Sequence, residues 1–569
     1  MGSPLPHHGK PPDAIVVGSG ITGGWAAKEL CERGLQVLLL ERGPNVVHGV
    51  DYVTEHLAPW MMPFRGKIDR RRAIEHQPIQ SKCYACDEYA SHFFVDDRQH
   101  PYESDASRPF SWIRGYQLGG RSITWGRQVY RWSDLDFKAN AMDGNGIPWP
   151  ISYADIASWY DHVEDVIGVS GNRDGVPELP DGRFLPPMPL TPVEMALQTR
   201  LQTSFAGRRL ISGRVAVLTV PHRGRAACHY CGPCERGCSL GAYFSSLSST
   251  LPAAKRTGNL QIRTDTIVER VLFDPSLGRA TGVAVIDAST HAREILCAPL
   301  IFLCASTLAS TQILLNSRSE TFPGGLGNSS GTLGRYLMDH AMFRAVAAEA
   351  PGFEDWTVFG QRPSGFYIPR FRNRDGHSTD FLRGYAYQGG SFRSSWARGL
   401  QGSDFGVPAK ERMSRLGPWN IWVSGFGECL PRRDNAVTLS DGPADTWGLP
   451  RLKISFAWGE NEFRMAEDAA LEADLMLAAA GFKTTRNVSD DPIAQGGLAV
   501  HEMGTARMGD DRTQSVLNKW NQVHDAPNVF VTDGACMASS ACQNPSLTYM
   551  ALTARAATHA ATLYKQGRL

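Results

Sequence analysis

Long apolar stretches, an excess of charge of one sign and an export signal are all missing from this sequence of 569 residues. The longest apolar run, residues 295–309, is too short to span a bilayer and contains Pro299, so it predicts a buried strand followed by a helix. A formal net charge of +1 argues against nucleic acid or an anionic membrane surface as the main partner. The first residues, MGSPLPHHGKPP, lack an apolar core and paired arginines. We therefore expect no membrane span, no nucleic-acid partner and no targeting signal in this chain.

Cysteine is also scarce, at 12 residues, which is too few for a disulfide scaffold in a chain of this length. Some of them are nonetheless clustered, because Cys228, Cys231, Cys234 and Cys238 follow the spacing C-x2-C-x2-C-x3-C. This is the ferredoxin-type spacing, although Ser239 stands where a proline usually follows. Thiolates this close together cannot all form disulfides with one another without strain. The pattern predicts an iron–sulfur cluster, with tetrahedral zinc and plain thiols as alternatives.

The first ordered stretch, residues 13–43, has the pattern of a strand, a helix and a second strand. Gly18, Gly20 and Gly23 lie between the first strand and the helix with the spacing G-x-G-x-x-G. This spacing suits a tight turn, close approach of a pyrophosphate and close packing of the helix on the strand. Glu41 closes the second strand, where its carboxylate can accept both hydroxyls of an adenosine ribose. The pattern predicts dinucleotide binding and does not distinguish FAD from NAD.

Two later segments have features of the same site. Residues 115–131 hold Gly119, Gly120 and Gly126 with small hydroxyl residues between them, which suits backbone that lies against a flat ring or a phosphate. A tight loop at a domain junction explains this segment equally well. Near the C-terminus, residues 528–532 form a predicted strand, and Asp533 follows at its carboxyl end, where ligands bind in open α/β sheets.

The order of the predicted elements indicates a domain that is interrupted and then resumed. The length allows two to four domains, and 42% hydrophobic with 20% charged residues is ordinary for a globular protein. Residues 260–263, 267–273, 282–287 and 294–304 have strand character. Residues 153–166 and 460–480 predict helices of a second, substrate-side region, with short strands at 436–439 and 452–456.

Several motifs in their order resemble the glucose–methanol–choline (GMC) oxidoreductase family, and the resemblance covers nearly all of the chain. They are VVGSGITGG with Glu41, GGRSITWG (119–126), CASTLASTQILLNS (304–317), GTLGRYLMDH (331–340), HEMGTARMG (501–509) and TDGACMASSACQNPSLT (532–548). The resemblance implies an α/β protein whose Rossmann-like FAD-binding domain is assembled from discontinuous segments and interleaved with a sheet-based (α+β) substrate domain. The expected bounds are 13–59, 100–143, 222–340 (with the iron–sulfur segment 228–238) and 500–569 for the FAD domain, and 60–99, 144–221 and 341–499 for the substrate domain.

The resemblance also assigns the active site. The family has a pair, His followed by His or Asn, on its two C-terminal motifs, and His501 and Asn544 match the His–Asn version. His501 is expected to be the general base, because neutral imidazole titrates near working pH, and Asn544 to hydrogen-bond the substrate hydroxyl. In isolation, the better interpretation of these residues would be a histidine that caps a turn and an asparagine that caps a helix.

The same resemblance implies FAD as the cofactor. Some relatives attach FAD covalently through a histidine at the position of Thr124, so a non-covalent flavin is expected here. The residues expected to contact it are Gly18, Gly20, Ile21, Thr22, Gly23, Glu41, Arg42, Gly119, Gly120, Ser122, Thr124, Gly126, Val268, Ala305, Ser306, Asp533, Gly534, Asn544, Pro545 and Ser546.

Within the family the chain is most similar to the large FAD/iron–sulfur subunits of bacterial sorbitol, fructose, gluconate and glucoside 3-dehydrogenases. Their C-x5-C-x3-C motif is matched by Cys228, Cys234 and Cys238, and Cys231 is an addition that leaves both [3Fe-4S] and [4Fe-4S] open. The resemblance implies oxidation of a secondary hydroxyl of a sugar or glycoside. The stretches GRQVYRWSDLDF and GRFLPPM favour the C3 hydroxyl of a glucoside.

The expected partners follow from the same resemblance. Electrons would leave through the cluster to a c-type cytochrome, and a small subunit with an export signal would carry the chain to the periplasm. The cytoplasm is the alternative location. Two other functions stay open at this point. One is an oxygen-using sugar oxidase, which would leave the cysteines idle, and the other is a non-catalytic flavin/iron–sulfur electron-transfer subunit, which would need no base.

Overall fold

The computed structural model describes residues 11–232, 234–374, 380–395, 398–399, 404–485 and 491–569. None of the helices in these ranges is both long and apolar enough to cross a membrane. The α-helices described are α1 (Ile21–Glu32), α2 (Arg70–His76), α3 (Asp134–Asp143), α4 (Tyr153–Ile167), α5 (Pro192–Ser204), α6 (Thr250–Arg256), α7 (Thr307–Asn316), α8 (Val407–Ser414), α9 (Glu460–Ala479) and α10 (Ser546–Lys565).

The strands are short and come from the whole length of the chain. They are β1 (Ala14–Val17), β2 (Val37–Leu40), β3 (Glu103–Ser104), β4 (Ile211–Ser212), β5 (Leu260–Arg263), β6 (Thr266–Asp274), β7 (Arg279–Asp287), β8 (Arg293–Cys297), β9 (Leu300–Leu303), β10 (Arg335–Met338), β11 (Ala341–Met342), β12 (Val346–Ala350), β13 (Phe366–Ile368), β14 (Tyr385–Arg393), β15 (Trp419–Gly427), β16 (Ala436–Leu439), β17 (Leu452–Ser455), β18 (Lys483–Thr485), β19 (Met503–Thr505), β20 (Gln522–Val523) and β21 (Ala526–Val531).

A parallel sheet with the order β20-β21-β9-β1-β2-β5 forms the first layer, and only β20 pairs antiparallel. Every residue of β1, β2 and β9 is buried, which explains why these strands are continuous apolar runs rather than alternating patterns. Helices α1 and α10 pack against each other beside this sheet. The carboxyl ends of β1, β2, β9 and β21 therefore meet along one edge.

A second large sheet covers that edge. It has the order β18-β12-β15-β14-β13-β4, with β11 also paired to β15, and its strands are antiparallel. Helix α9 packs against β15, and its buried face carries Met465, Ala469, Ala473 and Met476. This sheet forms the wall opposite the carboxyl ends of the parallel strands.

Two smaller sheets complete the architecture. The sheet β19-β10-β16-β17-β3 contains strands from both the expected FAD domain and the expected substrate domain. The sheet β6-β7-β8 is an antiparallel meander. The prediction of an α/β protein with a Rossmann-like sheet and a second sheet-based region is confirmed. The domain bounds given above stay a prediction, since the mixed sheet joins segments 335–338 and 503–505 to segments 436–439 and 452–455.

One predicted element is wrong. The single buried strand expected over residues 294–304 is two strands, β8 and β9, which belong to different sheets. The break falls at Pro299, which has no N–H to donate to a ladder. Ile295, expected to be buried, lies on the edge strand β8 with 63% of its side chain exposed. The first half of the apolar run therefore forms an edge strand, and the second half forms a buried strand of the core.

Candidate active site

The carboxyl ends of the parallel strands open into a cavity of about 1310 Å³. Its opposite wall is formed by β14 and β15, including Gln388, Gly389, Trp422 and Ser424. Pockets for small ligands commonly measure about 300–1,000 Å³. This cavity therefore has room for a dinucleotide and for a second, smaller molecule beside it.

The glycines of the β1–α1 turn meet different structural requirements. Gly18 has φ +93°, and a Cβ added there would lie 2.5 Å from the Cys304 carbonyl oxygen. A Cβ on Gly23 would lie 1.9 Å from the Gly18 carbonyl oxygen, so this position is fixed by packing of the helix on the turn. Gly20 meets nothing within 4 Å and lines the cavity directly in front of α1. Gly18 and Gly23 thus shape the turn, and Gly20 leaves space at the helix N-terminus, where an anion is favoured.

Glu41 closes the edge of the cavity beyond β2. Its carboxylate accepts hydrogen bonds from the backbone N–H of Ser19 at 3.1 Å and of Gly43 at 3.0 Å, and also from the Ser19 hydroxyl. Burial raises the pKa of Glu41 above its usual range. The β1–α1 turn thus holds the carboxylate in place, and there it could accept hydrogen bonds from a ribose.

The loop over residues 119–126 meets this turn from the other side. Gly119 has φ +94° and donates its N–H to the Ser19 hydroxyl at 2.9 Å. A Cβ on Gly120 would lie 3.3 Å from the Gly20 Cα, so the two glycine segments are in close contact. The Ser122 hydroxyl donates to the Gly119 carbonyl at 2.5 Å and fixes the loop.

The third part of this wall follows β9 and β21. Ser306 has φ +79° at the start of α7, and the Ser310 hydroxyl on that helix donates to the Asp533 carboxylate at 2.5 Å. Asp533 also accepts from the backbone N–H of Ala535 at 3.0 Å. Burial raises the pKa of Asp533 to about 6. A Cβ on Gly534 would lie 2.3 Å from the Glu502 carbonyl oxygen, so this position must be small.

Nearly all the residues predicted to contact the cofactor come together at this one cavity. Those that line it are Gly18, Gly20, Ile21, Thr22, Glu41, Arg42, Gly120, Ser122, Thr124, Gly126, Val268, Ala305, Ser306, Asp533, Gly534, Asn544 and Ser546. Gly23, Gly119 and Pro545 lie behind the lining and support it through the turn, the loop and the start of α10.

The side chains of His501 and Asn544 lie next to each other in the cavity. The Asn544 side-chain amide nitrogen lies 3.2 Å from Nε2 of His501, and the Asn544 Oδ1 accepts from the Gln388 side-chain amide at 2.7 Å. The pair is therefore in hydrogen-bond contact even though 43 residues separate its members in sequence. Val500, directly before the histidine, has φ +57°, a conformation that a β-branched residue rarely adopts.

His340 lies behind His501 and is fully buried. Its Nδ1 lies 2.9 Å from Nδ1 of His501, and its Nε2 lies 3.1 Å from the Ser540 carbonyl oxygen. The neighbouring Asp339 carboxylate accepts from the backbone N–H of His501 at 3.1 Å and of Gly497 at 2.7 Å. Both residues follow β10, so this strand end holds the segment that carries His501.

The electrostatics of this cluster keep both imidazoles neutral. Burial, and then the nearby His340 and Arg121, lower the pKa of His501 well below its usual value. Burial lowers the pKa of His340 to about 4. Arg121 is itself paired with Glu502, through nitrogen–oxygen distances of 2.7 Å and 3.3 Å. The ion pair links the glycine loop to the residue that follows His501.

The residues present fit a bound FAD. The N-terminus of α1 and the open Gly20 position suit a pyrophosphate, and Glu41 suits a ribose. Arg42 lies 4.6 Å from the ring centre of Tyr116 and 5.0 Å from that of Trp447, so an aromatic wall closes the same end. The His501–Asn544 pair stands at the other end, next to the wall formed by β14.

The cysteine segment does not form a comparable group. Within the ranges that the structure describes, which omit Pro233, no group of three or more His, Cys, Asp or Glu side chains could hold a metal ion as placed. Cys228, Cys234 and Cys238 are partly buried against the apolar cluster that contains Tyr243, whereas Cys231 is exposed. Burial raises the pKa of Cys234 to about 12, so the free segment carries a protonated thiol there.

Three residues of the site were missed by the sequence prediction. His340 belongs to the GTLGRYLMDH motif, but no residue of that motif was assigned a role. Gln388 and Arg121 were also left out, because a Gln in a strand and an Arg in a glycine loop carry no distinctive local pattern. The motifs that contain His340 and Arg121 offered a signal, and Gln388 had none.

Comparison with known proteins gives consistent results over the whole chain. It is 28% identical to 2-methyl-1,2-propanediol dehydrogenase of Mycolicibacterium austroafricanum, over 96% of this chain and 94% of that protein. It is 25% identical to the fructose dehydrogenase large subunit of Gluconobacter japonicus, over 98% of both chains. It is 26% identical to a C-glycoside 3-oxidase of Microbacterium trichothecenolyticum, over 53% of this chain and 54% of that protein.

The fold is similar to a solved structure, pyridoxine 4-oxidase from Mesorbium loti, with a TM-score of 0.58, 17% identity and coverage of 96% of this chain and 98% of that chain. The sequence profiles described as GMC oxidoreductase match residues 13–342 and residues 431–553. These matches include both glycine segments and the C-terminal motifs that carry His501 and Asn544. The chain therefore belongs to the GMC oxidoreductase family.

Proposed function

We propose that this oxidoreductase oxidises a secondary hydroxyl of a sugar or glycoside to a ketone, with FAD as the hydride acceptor. The observation that carries the proposal is the contact between Nε2 of His501 and the amide of Asn544 inside the cavity. Alcohol oxidation requires loss of a hydride from carbon and of a proton from oxygen. FAD, when bound, supplies the hydride acceptor, and the protein must supply the base and the orientation.

His501 is suited to receive the proton. Its Nε2 faces the cavity, and its lowered pKa keeps the ring neutral and able to accept at neutral pH. Asn544 is suited to orient the hydroxyl, because its amide lies next to Nε2 and is itself held by Gln388. A hydroxyl that contacts both the Asn544 amide and Nε2 from the cavity would be directed at the base.

The cofactor would be held without a covalent bond. Gly18, Gly20, Glu41 and the loop from Gly119 line or support the part of the cavity that suits the dinucleotide. Thr124 lines the cavity at the position where some relatives carry a histidine, and a threonine hydroxyl does not form that linkage. When the protein is denatured and precipitated, FAD is therefore expected to stay in solution.

The substrate class rests on relatives and on the second wall. Gln388, Ser424 and the backbone of Gly389 offer polar groups, and Trp422 offers an aromatic face, which together suit a sugar ring. The C3 hydroxyl of a glucoside is favoured because the chain resembles glucoside 3-dehydrogenases and is similar to a protein named C-glycoside 3-oxidase. One relative is named for a small diol, so 1,2-diols are the substrates to test beside sugars.

The decisive experiment is anaerobic reduction of the purified flavoprotein. Methyl glucoside should bleach the flavin absorbance, and product analysis should show a 3-keto-glucoside. Methyl glucoside deoxygenated at C3 is the matched control and should leave the flavin oxidised. Reduction by 2-methyl-1,2-propanediol but by no sugar would contradict the proposed substrate class.

We further propose that electrons leave through an iron–sulfur cluster at residues 228–238 to a c-type cytochrome partner, within a complex that a small subunit exports to the periplasm. The spacing of the cysteines and the similarity to a protein named as a large subunit support this proposal. In the described part of the segment, no group of three or more His, Cys, Asp or Glu side chains could hold a metal ion as placed.

The cluster proposal has its own test. Iron and sulfide content, with electron paramagnetic resonance before and after substrate, should reveal a cluster in protein purified without oxygen. Because Cys231 is exposed and the other three cysteines are partly buried, Cys231→Ser should keep the iron while Cys234→Ser should lose it. Iron-free protein with intact flavin would contradict the proposal. Fractionation of cells that express the chain with and without the small subunit would test the export.

The second candidate is an oxygen-using sugar oxidase, which several oxidases among the relatives favour. The two candidates differ in the fate of the reduced flavin. Rapid reoxidation by air with formation of hydrogen peroxide would favour the oxidase, and slow reoxidation with fast reduction of an artificial one-electron acceptor would favour the dehydrogenase.

A further inference from the structure

The ring of His340 is placed to control the ring of His501. The two imidazoles meet edge to face, with centroids 4.9 Å apart and planes at 80°. One nitrogen of His340 contacts His501 and the other contacts the Ser540 backbone carbonyl. Both of its polar atoms therefore have partners, although only 1% of the residue is exposed.

The Ser540 carbonyl determines where the protons lie. A carbonyl oxygen can only accept a hydrogen bond, so Nε2 of His340 must carry a hydrogen. Burial keeps His340 neutral, since its pKa falls to about 4, and its Nδ1 is therefore a bare acceptor. That acceptor lies 2.9 Å from Nδ1 of His501, so this nitrogen must in turn carry a hydrogen.

The consequence appears at the cavity. Neutral His501 with a hydrogen on Nδ1 has its lone pair on Nε2, which is the atom that faces Asn544. The orientation of the Asn544 amide agrees with this assignment, because its nitrogen donates to Nε2 while its oxygen accepts from Gln388. The Ser540 carbonyl thus sets the direction of three hydrogen bonds. They join this carbonyl to His340, His340 to His501, and His501 to Asn544.

We propose that His340 is a positioning residue that holds His501 in the Nδ1–H tautomer, so that Nε2 is the atom that takes the proton from the substrate hydroxyl. The inference rests on the proposed function for the role of His501. It does not depend on which sugar or diol is oxidised.

Asn544 favours the same tautomer from the Nε2 side, and on the Nδ1 side the other neighbours do not duplicate the role of His340. Asp339 accepts from the backbone N–H groups of His340, His501 and Gly497, so it fixes the main chain and leaves the imidazole free to choose a tautomer. Arg121 and Glu502 are paired with each other. Among the described contacts of the His501 ring nitrogens, His340 is the partner of Nδ1.

Two variants separate tautomer control from packing. His340→Phe keeps a planar ring but removes the acceptor, so the Nδ1–H of His501 loses its partner and only Asn544 still favours this tautomer. His340→Asn is smaller and packs less well, but its side-chain oxygen can accept near the original Nδ1 position. We expect His340→Phe to lower the flavin reduction rate constant about 100-fold or more, as loss of a correctly protonated base does. His340→Asn should recover to within about tenfold of the unmodified enzyme, with little change in the substrate concentration at half saturation.

The tautomer itself can be measured without substrate. Nitrogen-15 labelling of histidine, with correlation to the ring carbon-bound protons, distinguishes Nδ1–H from Nε2–H, and the His501→Ala spectrum identifies the His501 signals. We expect Nδ1–H in the unmodified holoenzyme and in His340→Asn, and a substantial fraction of Nε2–H in His340→Phe.

The outcomes distinguish this inference from the proposed function. An Nε2–H tautomer in the unmodified holoenzyme overturns the inference, whether or not any variant folds. So does His340→Asn reducing as slowly as His340→Phe while the two proteins keep equal FAD content. If no sugar reduces the unmodified enzyme but the tautomer follows the acceptor at position 340, the proposed substrate class fails and the positioning role stands.

Discussion

The charge of the His501 ring depends on how its neighbours share charge. Arg121 places a positive charge near the ring and lowers its pKa, and Glu502 offsets part of that charge through the ion pair. His340 is neutral, and burial raises the pKa of the Asp339 carboxyl to about 7, so that carboxyl is partly protonated at neutral pH. The ring therefore stays an uncharged base over the whole neutral range.

Removing the base should separate chemistry from cofactor binding. We expect His501→Ala to keep bound FAD, because the residues that suit the dinucleotide lie elsewhere in the cavity, and to slow flavin reduction about 10²- to 10⁴-fold. Stopped-flow absorbance under anaerobic conditions measures this directly. Asn316→Ala is a useful control because Asn316 also lines the cavity, on α7, and is not among the described hydrogen-bond partners of the pair. A reduction rate close to that of the unmodified enzyme would rule out His501 as the base.

The acid limb of the pH–rate profile should respond to the ion pair with a predictable sign. His501 must be neutral to act, so activity falls as pH drops through its pKa, which lies well below 6.5. Arg121→Gln removes a positive charge, raises this pKa and should move the limb to higher pH. Glu502→Gln leaves the positive charge uncompensated and should move it to lower pH. Shifts of equal sign in the two variants would contradict the electrostatic explanation.

At the scale of elements, the β1–α1 turn shows two different demands on glycine. Gly23 allows α1 to lie on the turn, because any Cβ would collide with the Gly18 carbonyl. Gly20 has free space in the folded protein and faces the cavity. The turn thus combines a position whose size is limited by packing with a position that is open to the cavity.

A pair of alanine variants tests this distinction. Gly23→Ala should destabilise the apoprotein by about 3 kcal/mol, because backbone must move to admit the methyl group. Gly20→Ala should leave the apoprotein's unfolding midpoint nearly unchanged but weaken FAD binding, since its methyl group enters the space in front of the helix N-terminus. Urea unfolding of both apoproteins and FAD titration by fluorescence would check this. Equal losses of stability in both variants would show that Gly20 is also a packing position.

For the molecule as a whole, the cavity lies between two sheets that are built from different parts of the chain. The parallel sheet contributes Gly20 and Glu41, and the antiparallel sheet contributes Gln388 and Trp422. A dinucleotide in this space contacts residues whose positions depend on the folded state. Such a ligand binds the native protein and not the unfolded chain.

Removal of FAD should therefore lower the thermal stability. At a free FAD concentration about 100 times Kd, binding adds about 2.7 kcal/mol to the free energy of unfolding. Calorimetry of the apoprotein with increasing FAD should show a Tm that rises with concentration. FMN, which lacks the adenosine half, is the matched control and should give a smaller rise because Glu41 has no ribose to hold. Identical shifts with both flavins would argue against the assignment of Glu41.

Much of this architecture could be predicted from the sequence, for physical reasons. Buried parallel strands are short apolar runs, so β1, β2 and β21 stand out, and the spacing of Gly18, Gly20 and Gly23 reflects a turn that few other residues could form. The contact of His501 with Asn544 followed only from the family motifs.

What could not be predicted depends on contacts between distant residues. His340 meets His501 across 161 residues, and nothing in the local sequence indicates which nitrogen meets which. The division of residues 294–304 between two sheets was also missed. Pro299 marks the break, but nothing in the sequence shows that the two halves pair with strands of different sheets.

The position of β9 between β1 and β21 has a consequence for how each molecule is made. β1 and β21 belong to one sheet, although residues 17 and 529 are far apart in the chain. At a synthesis rate of about 5–20 residues per second, roughly 25 to 100 s pass between the emergence of one and the other. β9 emerges about midway through this interval, and from then until β21 follows it has an open edge with which other chains could pair. Asp533 and Asn544, which line the cavity, are made later still, so the cavity is complete only at the end of synthesis.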